Sequence, residues 1–413
     1  MNTKKIIIFS LAYYPRFVGG AEVAIKEITD RISKDDIEFH LITLRFDSNL
    51  PKKESIGNVI VHRIGWSRPN PSVLDLRKFP FALTKMWFQL GAAIKALSLH
   101  RRYRFDAAWA MMAHSSGIPT TIFNMVSGVP YVLTLQEGDP PGEIEKTVRP
   151  LWMLFSRAFR RAEVVQVISN FLGDWARLRG FAGPLEVIPN GVDLELFATE
   201  RPAFEAEETR KQLNIKKSEI MLVTTSRLVR KNAIDECIRA LSLLPNEYVF
   251  VVLGNGPEEA KLKELAREMQ VNDRVRFLGY VGHVDMPQYL HSADIFIRPS
   301  RSEGMGNSFI EAFVAGIPVI ATQEGGISDF LFDPVRNPNH PATGFAVEKD
   351  SPEQIAQAVR NITNPENRQL VREIVKTAKT LASENYDWRS ITLRMRTDVF
   401  ARVLSKSKSN TRV

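Results

Sequence analysis

Residues 297–318 read IRPSRSEGMGNSFIEAFVAGIP, and the interpretation of the whole chain turns on them. A short apolar strand, Asp294 to Arg298, meets a Pro-Ser break, then a glycine-rich turn, then a helix. Ser308 with Glu311 three residues later has the form of a capping box, which predicts a helix start near Asn307 or Ser308. Ala315-Gly316 followed by Pro318 is its stop signal. A strand, a glycine loop and a helix start together expose unpaired backbone N–H groups to an anion. Gly304 and Gly306 let a phosphate or a sugar ring come close to the main chain. Two readings of the carboxylates stay open at this level. Glu311 completes the capping box while Glu303 is a solvated loop residue, or both converge on the hydroxyls of one ligand. Ionised carboxylates suit the second task, because charge-assisted hydrogen bonds are about twice as strong as neutral ones.

Outward from that stretch, length sets the first bound. A chain of 413 residues exceeds one ordinary core and divides into two domains of near-equal size. The expected division is 1–190 and 191–385, with a C-terminal helix over 386–405 packing back onto the first domain and a polar end from Lys406. A hydrophobic content of 44% and a charged content of 25% belong to a globular protein rather than a membrane-spanning one. No apolar run reaches the ~20 residues a membrane span needs. The N-terminal MNTKKIIIFS is too short in its apolar part for a signal peptide and reads as a first β-strand. The single cysteine, Cys237, excludes an internal disulfide, shows no metal-ligand spacing and fits a reducing cytoplasm. The formal charge of +8 favours anionic partners such as nucleotides or an acidic membrane surface. Nucleic acid is not expected, since the basic residues are scattered and no recognised module appears.

Along the chain, apolar strands alternate with helical stretches in both halves, which predicts parallel βα units wound on both faces of two sheets. Gly19-Gly20 lies at the first strand-to-helix turn, a second candidate anion cradle. The second half has three strand-to-polar-loop junctions: Arg227/Lys231, Gly254-Asn255-Gly256, and Glu303 to Ser308. Ligands of such sheets bind beyond the C-terminal strand ends, so all three should open on one edge. Arg227 and Lys231 precede a helix start, where the dipole disfavours cations unless an anion is bound. Residues 72–105 combine Phe79, Phe81, Met86, Trp87, Leu90, Ile94 and Leu97 with many basic residues, and 151–162 repeats the pattern on a smaller scale. Each segment reads either as a core-facing amphipathic helix or as an interfacial one resting on anionic lipid.

The segments VIPNGVDLELF, TSRLVRKNAID, VVLGNGPEEAKL, VRFLGYV, LHSADIFIRPSRSEGMGNSFIEAFVAGIPVIAT and EGGISDFL, in this order and spacing, resemble the family 4 retaining glycosyltransferases. The resemblance spans nearly the whole chain and is strongest over 186–350. It implies α/β GT-B architecture, two Rossmann-like doubly wound parallel-sheet domains facing each other across a cleft. It implies transfer of a hexose from a UDP- or GDP-linked sugar to a glycan or glycolipid acceptor in cell-surface polysaccharide synthesis. It implies no metal and no cofactor beyond the nucleotide-sugar co-substrate. The protein would be cytoplasmic, peripheral on the inner face of the plasma membrane where 72–105 and 151–162 touch lipid. By the same resemblance, Glu303, Arg227 and Lys231 carry the chemistry: Arg227 and Lys231 pair with the donor diphosphate. Glu311 holds the ribose hydroxyls, and Gly304, Met305, Gly306, Asn307 and Ser308 surround the donor with Glu303. Gly254 and Gly256 belong to the donor side, Gly19 and Gly20 close over the diphosphate, and Tyr280-Val281 lies near the base.

Two departures from the family pattern bear on this. The family places a lysine followed by glycine where this chain has Asn232 and Ala233, with Lys231 one step early. Many relatives carry a histidine where this chain has Gln136, in PYVLTLQEGDPPGE. His114, Gln136, Glu137 and Asp139 are the acceptor-side candidates; as a lone histidine, His114 reads first as a structural residue, and Glu137 with Asp139 reads equally as a solvated turn. A nucleotide-sugar-binding scaffold without catalysis and a UDP-sugar epimerase are the alternative functions.

Overall fold

Eight segments of the first half assemble into one sheet, and most carry the hydrophobic runs that strands covered on both faces require. They are β1 (Lys4–Phe9), β2 (Ile37–Leu44), β3 (Lys53–Ile56), β4 (Val59–Ile64), β5 (Ala107–Met111), β6 (Tyr131–Leu135), β7 (Val164–Val167) and β8 (Leu185–Val187). Their order is β3-β4-β2-β1-β5-β6-β7-β8, and every pairing is parallel except the β3–β4 hairpin at the edge. The computed structural model describes residues 3–16, 18–71, 79, 81, 83–199 and 202–407. Arg77 and Lys78 of the basic-aromatic stretch, and the last residues of the polar end, lie outside them.

A second sheet follows: β9 (Ile220–Thr225), β10 (Tyr248–Leu253), β11 (Val275–Gly279), β12 (Ile295–Arg298), β13 (Val319–Ala321) and β14 (Phe345–Ala346). It is parallel throughout, in the order β11-β10-β9-β12-β13-β14. Strand order reverses between β9 and β12, and that reversal is where open α/β sheets leave a crevice outside their carboxyl ends.

The chain forms two compact units, residues 1–190 with 388–413, and 191–387. The return of the C-terminal segment to the first unit has a packing cause. Trp388, Ile391, Met395, Val399, Phe400 and Val403 are buried in one cluster with β1, β2, β4 and β5. The Phe400 ring meets Trp109 edge-on at 5.1 Å and Phe39 at 6.0 Å. Burying a side chain of this kind stabilises by about 1.5–3 kcal/mol, so the segment is anchored by several such contributions. Within the second unit, Val192 and Asp387 form a β-bridge beside the two points where the chain passes between units.

Candidate active site

Because the second sheet is parallel, the C-terminal ends of β9, β10 and β12 lie on one edge, and the three polar junctions follow them. Their loops interlock. The Leu228 amide donates to the Asn255 carbonyl at 2.9 Å, and the Arg301 amide to the Lys231 carbonyl at 2.7 Å. A Cβ on Gly254 would sit 1.8 Å from the Ser226 carbonyl oxygen, and one on Gly256 2.2 Å from that of Leu228. These two glycines are therefore demanded by loop against loop, a reason independent of any donor. Arg301 fixes the middle junction from its side: its two terminal nitrogens reach both Asp235 oxygens at 2.9 and 2.8 Å, and Nη1 also donates to the Arg230 carbonyl at 2.7 Å.

Lys231 sits in a single 3-10 turn, Arg230–Asn232, and the helix proper is Ile234–Ser242 with Asp235 and Glu236 in its first turn. The chain also places its own acids, Asp235 and Glu236, at this dipole, and Arg301 engages both of them. Arg227 is exposed and Lys231 half-buried. Ala233 takes the left-handed conformation, φ +53° and ψ +39°, and a side chain there costs roughly 1–2 kcal/mol. That is the physical content of the family's glycine at this position.

The helix after β12 is Asn307–Ala315, ending on left-handed Gly316. Its capping box does not form: Gly306, at φ +88°, is the N-cap, and no side chain caps the first turn. Ser308 Oγ instead accepts from Arg298 Nη1 at 2.7 Å, and Glu311 Oε1 lies 3.2 Å from His283 Nε2. Neither member is left for the box. Glu303 is buried too, with its carboxylate paired to Arg298 and its Oε1 accepting from the Gly304 amide at 3.2 Å. The solvated-loop reading of Glu303 is thus excluded. Met305 is fully buried beneath the loop, and Gly325 passes so close that a Cβ would lie 2.1 Å from the Glu303 carbonyl oxygen.

Arg298 and His283 are polar residues of this edge that the motif reading missed. Arg298 closes an apolar strand and reads as its last residue; the one sequence signal is a charge in a run otherwise wholly apolar. His283 follows β11 in a polar loop and stacks edge-on against Phe197 at 5.1 Å. Tyr280, in the same loop, is exposed. Around the β9–β12 reversal, Thr224 Oγ1, Thr225 Oγ1, Arg298 Nε and Ser300 Oγ are buried with no hydrogen-bond partner, four of the ten such atoms among the described residues. Buried polar groups are ordinarily satisfied, so their concentration here marks a place poised for a polar ligand.

The first unit's candidates are arranged otherwise. Glu137 is buried, accepting from the Ala113 amide at 2.5 Å and the Gln136 amide at 2.9 Å, so the solvated-turn reading is corrected. His114 Nδ1 lies 3.5 Å from the same carboxylate, just after Met112 at φ +70°. Gln136 and Asn190 exchange reciprocal amide hydrogen bonds at 3.0 and 3.1 Å. Asp139 is exposed. Gly19 caps the helix Gly20–Asp30, but its amide donates to Glu22 Oε2 at 2.7 Å, so that N–H is engaged by the chain's own carboxylate. Gly20 lies alongside Asn190, whose Nδ2 would be 3.8 Å from an added Cβ.

The comparisons with known proteins agree with this fold. The family model described as Glycosyl transferases group 1 matches residues 205–381, and the one described as Glycosyltransferase Family 4 matches residues 18–196. An uncharacterised glycosyltransferase of Methanocaldococcus jannaschii is 25% identical over 401 residues, 94% of this chain and 95% of that protein. The GDP-mannose-dependent alpha-(1-6)-phosphatidylinositol monomannoside mannosyltransferase of Mycobacterium tuberculosis is 32% identical over 211 residues, 48% of this chain and 52% of that protein. Among solved structures, Anabaena HepE in complex with UDP-glucose matches with a TM-score of 0.75 at 20% identity, covering 96% of this chain and 99% of that one. At that identity the likeness concerns the fold alone.

Proposed function

The chain belongs to glycosyltransferase family 4 and is a GT-B glycosyltransferase, and from that premise we propose that it is a retaining enzyme moving a hexose from a UDP- or GDP-linked donor to a glycan or glycolipid acceptor in cell-surface polysaccharide synthesis. One observation carries the donor assignment: Glu303, Glu311, Arg227 and Lys231 all follow strands of one parallel sheet on one edge, where buried polar atoms stand unsatisfied. Arg227 and Lys231 with the 305–308 amides face the diphosphate, Glu311 the ribose hydroxyls and Glu303 the sugar. The acceptor hydroxyl attacks on the face the nucleotide leaves, and the departing phosphate takes its proton. No protein nucleophile and no metal is then needed. The enzyme's contribution is preorganised charge aimed at the leaving diphosphate.

A lipid-linked acceptor is supported by the helix Leu83–Tyr103. Its inner face, with Phe88, Ala92, Ala96 and Leu99, is buried, whereas Met86, Leu90 and Ile94 form an exposed stripe, 71%, 61% and 68% accessible. Phe79, at 81%, and Met153, at 83%, are also exposed, the latter on the helix Trp152–Arg160 with exposed Arg157 and Arg160. No helix among the described residues is long and apolar enough to cross a membrane, so the contact proposed is peripheral, on the cytoplasmic face. Co-sedimentation with phosphatidylglycerol vesicles at low salt is the expected result; recovery of all protein in the supernatant removes the lipid-surface part.

A panel of UDP-, GDP- and ADP-sugars read by mass spectrometry tests the activity. Slow donor hydrolysis with one base is expected. Binding without turnover, even with acceptors, makes the protein a scaffold, and a changed sugar still joined to its nucleotide makes it an epimerase.

A further inference from the structure

Arg298 is 8% exposed at the end of β12, the strand that borders the topological reversal, and it is bound to three different segments at once. Nη2 donates to Asn232 Oδ1 at 3.3 Å and to Glu303 Oε2, and Nη1 donates to Ser308 Oγ at 2.7 Å. Its guanidinium lies over the Phe309 ring, 5.1 Å from the centroid. Nε is buried without a partner. Asn232 in turn holds the β9 junction, donating to Ser226 Oγ at 2.9 Å and to the Arg227 carbonyl at 2.7 Å. Asn232 stands where the family pattern has lysine, so at this edge the cation comes from the strand beneath and the loop position has become its acceptor.

A planar fork of five donors can serve three acceptors in fixed directions, which an ammonium on a flexible stem cannot. A buried arginine is also an expensive way to hold a loop, since desolvating it has to be offset by a paired carboxylate and further hydrogen bonds. Neutral side chains would tie these segments together at less cost. Its retention here, with one N–H left over, is accounted for if the charge also serves the ligand's side of the loop.

We propose that Arg298 is the positioning residue of the donor site, aiming the Glu303 carboxylate and joining the β9 junction, the Glu303–Gly306 loop and the first turn of the helix Asn307–Ala315 into one preorganised unit through Asn232, Glu303 and Ser308. This rests on the donor-site reading given above. Such a residue acts on turnover more than on binding, because the aimed carboxylate matters most where charge develops on the sugar.

The test is donor hydrolysis of UDP-glucose and GDP-mannose, with kcat and KM separated, on R298K, R298Q, N232A, S308A and E303Q, each checked for folding by thermal melting. R298Q is expected to lower kcat about 100-fold and R298K about 10-fold, with KM within threefold. N232A and S308A, which each remove one anchor and leave the arginine, are expected to lower kcat three- to tenfold while still melting cooperatively, at a lower temperature than wild type. These two keep the question answerable if R298Q fails to fold. Wild-type kcat in folded R298K, or in both N232A and S308A, overturns the inference, as does a loss confined to KM. The failures are distinguishable: E303Q with wild-type turnover sinks the donor-site reading itself, whereas an inactive E303Q beside fully active Arg298 variants sinks only the positioning role.

Discussion

The two sheet edges differ in how they treat their polar groups. At the first, Glu137 is consumed by two amides, Gln136 and Asn190 pair with each other, and the Gly19 amide is held by Glu22. At the second, Thr224, Thr225, Arg298 and Ser300 each keep a buried polar atom unpartnered, Glu303 is held by Arg298 and the Gly304 amide, and Glu311 lies against His283. An unmade hydrogen bond in a buried place costs roughly 1–3 kcal/mol, so the second edge carries a deficit that a ligand can relieve. The first edge keeps Tyr13 Oη after β1 and Gln89 Oε1 beside Ser115 unpartnered, but at Glu137, Gln136 and Gly19 a ligand must compete with bonds already made. The lesson is that glycine-rich turns of similar appearance in sequence can be a poised site in one sheet and a closed structural knot in the other.

The strongest way to break this contrast is Glu311→Ala. Loss of charge-assisted bonds to ribose hydroxyls is expected to weaken UDP or GDP binding about 10- to 100-fold by calorimetry, worth roughly 1.4–2.8 kcal/mol. Unchanged affinity would move the nucleotide away from this helix. By the same logic Glu137→Gln should leave nucleotide affinity alone and cost about 2 kcal/mol of stability, since two amides would lose their carboxylate acceptor. Urea melts with and without nucleotide separate these outcomes.

Acid sharpens the comparison, because the first unit buries a histidine pair. His40 Nδ1 lies 3.0 Å from His62 Nε2, and both rings are buried. Burial first, then the neighbouring His40, pulls the His62 pKa from 6.5 down to about 3, and burial lowers that of His40. A group with a depressed folded pKa binds fewer protons folded than unfolded between those limits, so stability is full above pH 6.5 and falls as pH drops toward 3. The first unit should be about 2 kcal/mol less stable at pH 5 than at pH 7 on account of His62. All six tryptophans, from Trp66 to Trp388, belong to this unit, so tryptophan fluorescence in urea reports it specifically. A His62→Gln variant should show a smaller pH difference; an unchanged one would assign the slope to other groups. The smallest effect is expected from Ala233→Gly, which relieves the left-handed backbone of the β9 junction and should raise the second unit's stability by about 1 kcal/mol.

Much of this could be read from the chain beforehand. Strands that are apolar for their full length, such as β5 and β10, announce burial on both faces, and the parallel sheets follow. β3, KESI, was invisible to that signal because an exposed edge strand needs no apolar run; only the Gly57-Asn58 turn before β4 hints at the hairpin. The glycine loop and the helix stop at Gly316 were legible for the same local reason. The capping box was misread because a distant arginine and a distant histidine claim Ser308 and Glu311, and competition over such sequence separations leaves no trace in a four-residue motif. Arg298 and His283 escaped for that reason too: their partners Asn232 and Glu311 lie on other loops and helices of the sheet edge.

The central claim is that the second unit's carboxyl edge grips a sugar-linked diphosphate. Amide hydrogen exchange with and without UDP-glucose and GDP-mannose reads this directly. Protection with one of them is expected over 226–232 and 303–311, around β9 and β12. Binding that leaves both segments unprotected while slowing exchange only in the first unit would contradict the account.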